Sequence, residues 1–276
     1  MKNSPLKTLL IGLAFVLGLV VCFFLFSQGE NVIHNQKEQF VIQKELDNRV
    51  AFPILDAINS RNSQIRNISC SLKAIAQMPG KRAAKLNGFL SYEKDRKFRM
   101  ELDSFLGPEI DIGSDGTRFW FWSGRMKRPG LYWSTYENFH KTRLKTPFNP
   151  EWLSHCLGID TIDYQSAVID QSDNRWRVII KTKNAKGEPV TAVSYVDSSR
   201  GLITGHGVYD QNGTLEASSE IEEFNGILPA KITFIWHKET ASMVWYLENI
   251  QANTIIDSHK WMMPNISPKI DMGHDF

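Results

Sequence analysis

Between residues 97 and 103, within the stretch 96–105, apolar and charged side chains alternate without a break. Phe98, Met100 and Leu102 fall on one side, and Lys97, Arg99, Glu101 and Asp103 on the other. This period of two is what a strand needs when one face is dry and the other wet. Similar runs recur at 86–93, 175–182 (Trp176, Val178 and Ile180 on one side), 190–196, 202–209, 214–224, 230–237 and 243–250. Turn-forming sequences separate them: Ser114-Asp115-Gly116, Lys186-Gly187, Asp210-Gln211-Asn212-Gly213 and Asn225-Gly226. About ten strands joined by hairpin turns predict one antiparallel sheet curved toward a barrel, rather than βαβ units.

Helical signals are few. Leu46, Val50, Ile54 and Ile58 recur every fourth residue among charged neighbours, predicting an amphipathic helix within 30–62 that Pro53 kinks or restarts. A second helical stretch is predicted at 150–157, PEWLSHCL. The main domain is expected over 63–264, with 265–276 as a loose tail.

Residues 9–26 form an uncharged apolar run, about the minimum length for a membrane-spanning helix. Residues 1–29 are therefore read as an N-terminal anchor or signal peptide. Lys2 and Lys7 precede the run and Glu30 follows it, which places the N-terminus in the cytoplasm and the main domain outside. Ser27-Gln28-Gly29 offers a cleavage site, and Cys22 a site for acylation, although Val21 and the apolar residues after Cys22 fit acylation poorly. The chain has 32 Lys and Arg against 30 Asp and Glu, and the excess lies in those first two lysines. A neutral main body argues against nucleic acid as partner. Beyond the anchor only Cys70 and Cys156 remain, and the sequence leaves open whether they pair.

No phosphate-binding loop, zinc-binding helix, nucleophile elbow or paired-cysteine metal spacing occurs, so no catalytic residue, metal ligand or cofactor is expected and the chain does not read as an enzyme. His155 and Cys156 are neighbours on a helix and point apart, which disfavours a nucleophilic pair. Glu109, Asp111 and Asp115 are close in sequence, but Asp111 is expected on a solvent face and Asp115 in a turn. Three Asn-x-Ser/Thr triplets, at Asn67, Asn212 and Asn265, carry little weight. The unusual feature is aromatic. Arg118-Phe119-Trp120-Phe121-Trp122 puts large rings on both faces of one strand, and both must be covered or met by a partner.

The segments Gly88-Phe89-Leu90-Ser91-Tyr92-Glu93, Arg96-Lys97-Phe98-Arg99-Met100-Glu101-Leu102, Phe105-Leu106-Gly107 and Ile112-Gly113-Ser114-Asp115-Gly116-Thr117-Arg118-Phe119-Trp120 together resemble the LolA and LolB carriers of outer-membrane lipoproteins. Tyr195-Val196-Asp197, Tyr209-Asp210-Gln211-Asn212-Gly213, Leu228-Pro229-Ala230-Lys231-Ile232, Ile250-Gln251-Ala252-Asn253 and Trp261-Met262-Met263-Pro264 continue the same order. The resemblance implies an incomplete antiparallel barrel with a helical lid and a cavity for acyl chains of lipoproteins or lipids. It assigns to that cavity the apolar residues Leu86, Leu90, Phe98, Met100, Leu102, Phe119, Phe121, Trp176, Val178, Phe234, Trp236 and Trp245. The lid falls to the segments around 46–58 and 150–157.

Two departures accompany it. Where soluble carriers of this kind have Arg-Pro, this chain has Lys94-Asp95, so the latch attributed to that arginine is missing. The stretch around Phe105-Leu106-Gly107-Pro108 is nearer LolB, and by that analogy Leu106 is the membrane-contacting residue. The expected function is a periplasm-facing lipoprotein or lipid carrier, anchored through its N-terminal helix or exported, with an envelope transport protein as a further partner. The alternative is an envelope sensor of the same fold that binds acylated ligands and signals through a protein partner.

Overall fold

The computed structural model describes residues 40–126, 128–142, 152–172, 175–184 and 187–274. No helix among them is long and apolar enough to cross a membrane, and the N-terminal run, the anchor reading, Cys22 and residues 30–39 lie outside the described residues.

In chain order the strands are β1 (Lys44–Glu45), β2 (Asn67–Gln77), β3 (Ala84–Glu93), β4 (Lys97–Ser104), β5 (Gly107–Asp115), β6 (Arg118–Ser123) and β7 (Leu131–Thr135). They continue as β8 (Val168–Ser172), β9 (Arg175–Lys183), β10 (Pro189–Asp197), β11 (Leu202–Tyr209), β12 (Leu215–Asn225), β13 (Leu228–Trp236), β14 (Ala241–Ala252) and β15 (Lys269–Asp271). All belong to one open sheet in the order β1-β8-β9-β10-β11-β12-β13-β14-β2-β3-β4-β5-β6-β7-β15. Every pairing is antiparallel except β15 with β7. The chain is thus mainly β, as the alternation predicts, with β1 and β15 as its two edges.

Cross-strand register keeps the dry face continuous. Cys70, Leu90, Met100, Ile112, Phe121 and Tyr132 lie opposite one another in a row across β2 to β7, and all are buried. A second row, Ser194, His206, Ser219, Phe234, Met243 and Ala76, crosses β10 to β14 and reaches β2 on the same face. A sheet this wide must coil, and it does so through irregular registers at Leu102/Asp103, Tyr195/Val196, Val208/Tyr209, Ile221/Glu223 and Glu248/Gln251. At Gly88 a Cβ would lie 1.8 Å from the Glu101 carbonyl oxygen, so only glycine allows β3 and β4 to approach this closely.

Helix α1 (Asn48–Ser63) begins where Asp47, in extended conformation, accepts a hydrogen bond from the Arg49 amide. Its buried side is Ala51, Leu55, Ile58 and Asn62; of the expected Leu46, Val50, Ile54 and Ile58, Ile58 is fully buried, while Leu46 and Ile54 are partly buried beside it. Val50 is 57% exposed, and Leu46 precedes the helix. A stripe spaced uniformly by four drifts around a helix of 3.6 residues per turn, whereas the 4-3-4 spacing found here stays on one side. The helix also runs through Pro53 without the expected restart. Its buried side packs on Ile162, Tyr164, Ile169, Trp176, Val178, Val196 and Ile203. At its other end Lys94 Nζ donates to the carbonyls of Asn62 (3.0 Å) and Ser63 (3.2 Å). A cation thus caps the helix C-terminus from the position where the resemblance implied a lost latch. Helix α2 (Trp152–Cys156) is the described part of the predicted 150–157 helix.

The rings of β6 divide as the alternation requires. Phe119 and Phe121 face the core, while Trp120 is fully buried on the outer side and donates its Nε1 to Asp111 Oδ1 at 3.1 Å. Asp111, expected on a solvent face, is instead buried between Trp120 and Arg99 Nη2 (2.7 Å), while Asp115 caps its turn as predicted. The chain after β14 crosses this outer side, with Lys260 pairing Glu101, and ends in β15. Ile270 and Met272 are core residues, so the segment read as a loose tail closes one edge of the sheet.

At the other edge Asp170 and Arg177 form a buried ion pair (Nε to Oδ1, 2.8 Å). Asp170 also accepts the Gln43 amide, and Arg177 donates to the Val41 carbonyl and covers the Phe40 ring. Removing one partner strands the other in a site without water. Asp170→Ala is expected to destabilise the fold by about 3 kcal/mol, read as a lower urea midpoint, and to release residues 40–46 to early hydrogen exchange.

Candidate ligand-binding cavity

The inner face is covered unevenly. Over β2 to β7 it is filled by its own side chains together with Phe139, Leu153 and Leu157, and over β8 to β11 α1 lies against it. Between these two packed regions a cavity of about 350 Å³ remains. Strands β9 to β14 wall it with Ile180, Ala192, Ile203, Val208, Ala217, Phe234, Trp236, Met243 and Trp245. Leu153, His155 and Cys156 of α2, with residues 160–163 after it, complete the lining.

Of the twelve residues assigned to a cavity from sequence, Phe234, Trp236 and Trp245 line this one. Their rings form one group: Phe234 is 6.2 Å from Trp236 and 4.6 Å from Trp245, centre to centre. Leu86, Leu90, Phe98, Met100, Leu102, Phe119 and Phe121 sit in the filled region, and Trp176 and Val178 lie beneath α1. None of these nine lines the cavity described here.

The segment covering the cavity is held by polar bonds to α1. Asn59 both accepts from the Ile162 amide (2.8 Å) and donates to its carbonyl (2.9 Å). Asn62, itself buried, donates to the carbonyls of Gly158 (3.2 Å) and Asp160 (2.9 Å). Gly158 has a positive φ of 66°, and a Cβ there would meet Ile221 at 2.6 Å, so the turn out of α2 is specific for glycine. Asp160 in turn accepts from Ser154 (3.0 Å) and lies 3.2 Å from Nδ1 of His155.

Polar groups missed by the sequence reading cross the cavity wall. Ser194, His206 and Ser219 occupy consecutive strands in register, with Ser194 Oγ 3.1 Å from His206 Nδ1. The signal was present: they stand at positions of the alternation otherwise taken by Val196, Val208 and Ala217. Burial, and the nearby His155, push the His206 imidazole down to about 3, with the His155 backbone acting weakly against them. Burial pushes the Cys156 and Cys70 thiols up to about 12. The two cysteines are separate buried thiols, protonated at neutral pH, and behave as small apolar groups. Among the described residues no group of three His, Cys, Asp or Glu side chains could hold a metal ion.

The depressed His206 imidazole implies a pH dependence. Above pH 6.5 the ring is neutral in both folded and unfolded chains and contributes nothing. As pH falls from 6.5 toward 3 the unfolded chain takes up a proton that the folded one refuses, so folded stability declines. Urea midpoints measured at pH 7 and pH 5 should fall together less in His206→Gln than in the parent.

No family model and no curated protein matches the sequence. Solved structures do resemble it. A DUF1329 family protein from Desulfovibrio piger superposes with TM-score 0.53 at 10% identity, over 78% of this chain and 96% of that one. A LolA superfamily protein from Nitrosomonas europaea gives 0.50 at 11% identity, over 74% and 96%. An outer membrane lipoprotein-sorting protein domain from Vibrio parahaemolyticus gives 0.52 at 9% identity, over 78% and 97%. The open, mainly β sheet with few helices is therefore a LolA/LolB-like fold.

Proposed function

We propose that this chain is a carrier that holds an acyl chain of a lipoprotein or lipid at the bacterial cell envelope. The observation that carries the reading is the cavity of about 350 Å³, lined largely by aromatic and aliphatic side chains, on the inner face of an incompletely closed barrel. Ligand sites commonly measure about 300–1,000 Å³, so this one suits a single acyl chain. Each methylene moved out of water gains about 0.8 kcal/mol. Roughly ten of them supply about 8 kcal/mol, ahead of the entropy lost on association, without any catalytic group.

In this reading Phe234, Trp236 and Trp245 touch the ligand, and the filled region around Leu90, Phe98, Met100 and Phe121 is the rigid wall behind them. Helix α2 and residues 158–163 are the lid. Asn59 and Asn62 tie them to α1 by hydrogen bonds, and Leu153, Leu157, Ile159 and Ile162 seat them in the apolar core, contacts that must part for release. In the same reading the turn between β4 and β5 contacts the membrane, supported by the exposure of Phe105 and Leu106, 85% and 67%. The apolar N-terminal run is the anchor or export signal that sets the main domain in the periplasm, and the reading involves no covalent chemistry.

Native mass spectrometry of the full chain, with extraction of bound species, tests this. An acylated molecule at one per chain is expected. Ala192→Phe, which places a ring in the cavity, should weaken binding at least tenfold while leaving the fold intact, the effect of about 1.4 kcal/mol or more of lost contact. A folded parent chain that carries no acylated species and takes up none from added palmitoyl lipid would overturn the proposal.

A further inference from the structure

The cavity is apolar, yet polar atoms buried in its lining have poor partners or none. Trp245 is 2% exposed and its indole Nε1 has no hydrogen-bond partner, although an indole N–H can only donate. Ser219, also buried, has only the Cys156 thiol beside its hydroxyl, and a thiol is a weak partner. Nε2 of His206 is likewise buried without a hydrogen-bond partner, and the His155 backbone lies beside the ring. All three residues line the same cavity. A buried donor left unsatisfied costs about 1–3 kcal/mol, and three in one pocket imply a group that satisfies them when the pocket is filled.

The three also lie together. Ser219 of β12 stands opposite His206 of β11 on one side and Phe234 of β13 on the other, and Phe234 packs on Trp245. Ser194 Oγ lies 3.1 Å from Nδ1 of His206, and in the tautomer that accepts there Nε2 carries the ring proton, so that all three groups can donate. Donors on three strands of one pocket lining call for an acceptor in the ligand. Its charge follows from the rest of the lining, where Asp160 and Asp163 oppose the single cation of Lys183. A carboxylate would meet net negative charge and a neutral imidazole, whereas a neutral carbonyl would meet neither penalty.

We infer that the cavity recognises the neutral carbonyl of an ester- or amide-linked acyl chain, through hydrogen bonds donated by Trp245 Nε1, Ser219 Oγ and His206 Nε2. The inference rests on the acyl-carrier reading and deepens it. It makes the pocket selective for esterified over free fatty acid.

The test uses the full chain in amphipol, loaded with methyl palmitate labelled with carbon-13 at the carbonyl. Infrared spectroscopy should place the bound carbonyl band below its position in dry hydrocarbon, and both Trp245→Phe and Ser219→Ala should return it part of the way. Each variant should bind the ester about fivefold more weakly, the effect of one hydrogen bond, and palmitic acid should bind more weakly than the ester in the parent. Bound ester with its band at the hydrocarbon position, or a lowered band unmoved by either variant, overturns this inference while leaving the acyl-carrier reading standing. Failure of any palmitoyl compound to bind the parent overturns the acyl-carrier reading itself.

Discussion

One wet and one dry face, kept in register across neighbouring strands, governs this molecule. An antiparallel sheet can leave its polar face to water, but every residue on the other face must be covered. Rows such as Cys70, Leu90, Met100, Ile112, Phe121 and Tyr132 make that face continuous, so the sheet has to bend around whatever covers it. Among the described residues two α-helices are available, and both lie there. They do not suffice. Where the large rings of β3 to β7 meet Phe139, Leu153 and Leu157 the space is filled, while the smaller side chains of β10 to β12, Ala192, Ser194 and Ala217, leave it open.

The fold was legible because alternation is a local signal. The strands holding Phe98 and Trp176 could be read from single segments, as could the turns at Asp115 and Asp210, whose carboxylates bond amides two to four residues ahead. Helix phase was not legible to the same degree. Val50 looked like part of the apolar stripe, but the start of the helix is set by the Asp47 cap, and that rotates Val50 into solvent. The fate of residues 265–274 was likewise hidden, since their parallel pairing with β7 depends on a partner more than a hundred residues away in sequence.

The site was harder still. Phe98 and Phe234 have the same inward phase, and no local pattern distinguishes a residue that packs from one that borders empty space. That difference arises from what lies opposite: for Phe98 the filled region, for Phe234 a gap beneath α2. The polar row Ser194, His206 and Ser219 could have been noticed as a break in the apolar phase. Its meaning depends on burial, which makes the imidazole neutral and leaves its neighbours' donors without strong acceptors. The asparagines that hold the lid, Asn59 and Asn62, fall at the end of the segment 30–62 predicted as helical, and their role appears only through Gly158, Asp160 and Ile162.

The central claim is that an acyl chain enters the gap beside β9 to β14 and not the filled half of the sheet. Paramagnetic broadening by a palmitoyl chain with a nitroxide near its end, read on the indole N–H signals of the full chain, locates it directly. The account predicts strong broadening at Trp236 and Trp245 with Trp120 unaffected. Equal broadening at Trp120, or none at Trp236 and Trp245 with the chain bound, would contradict it.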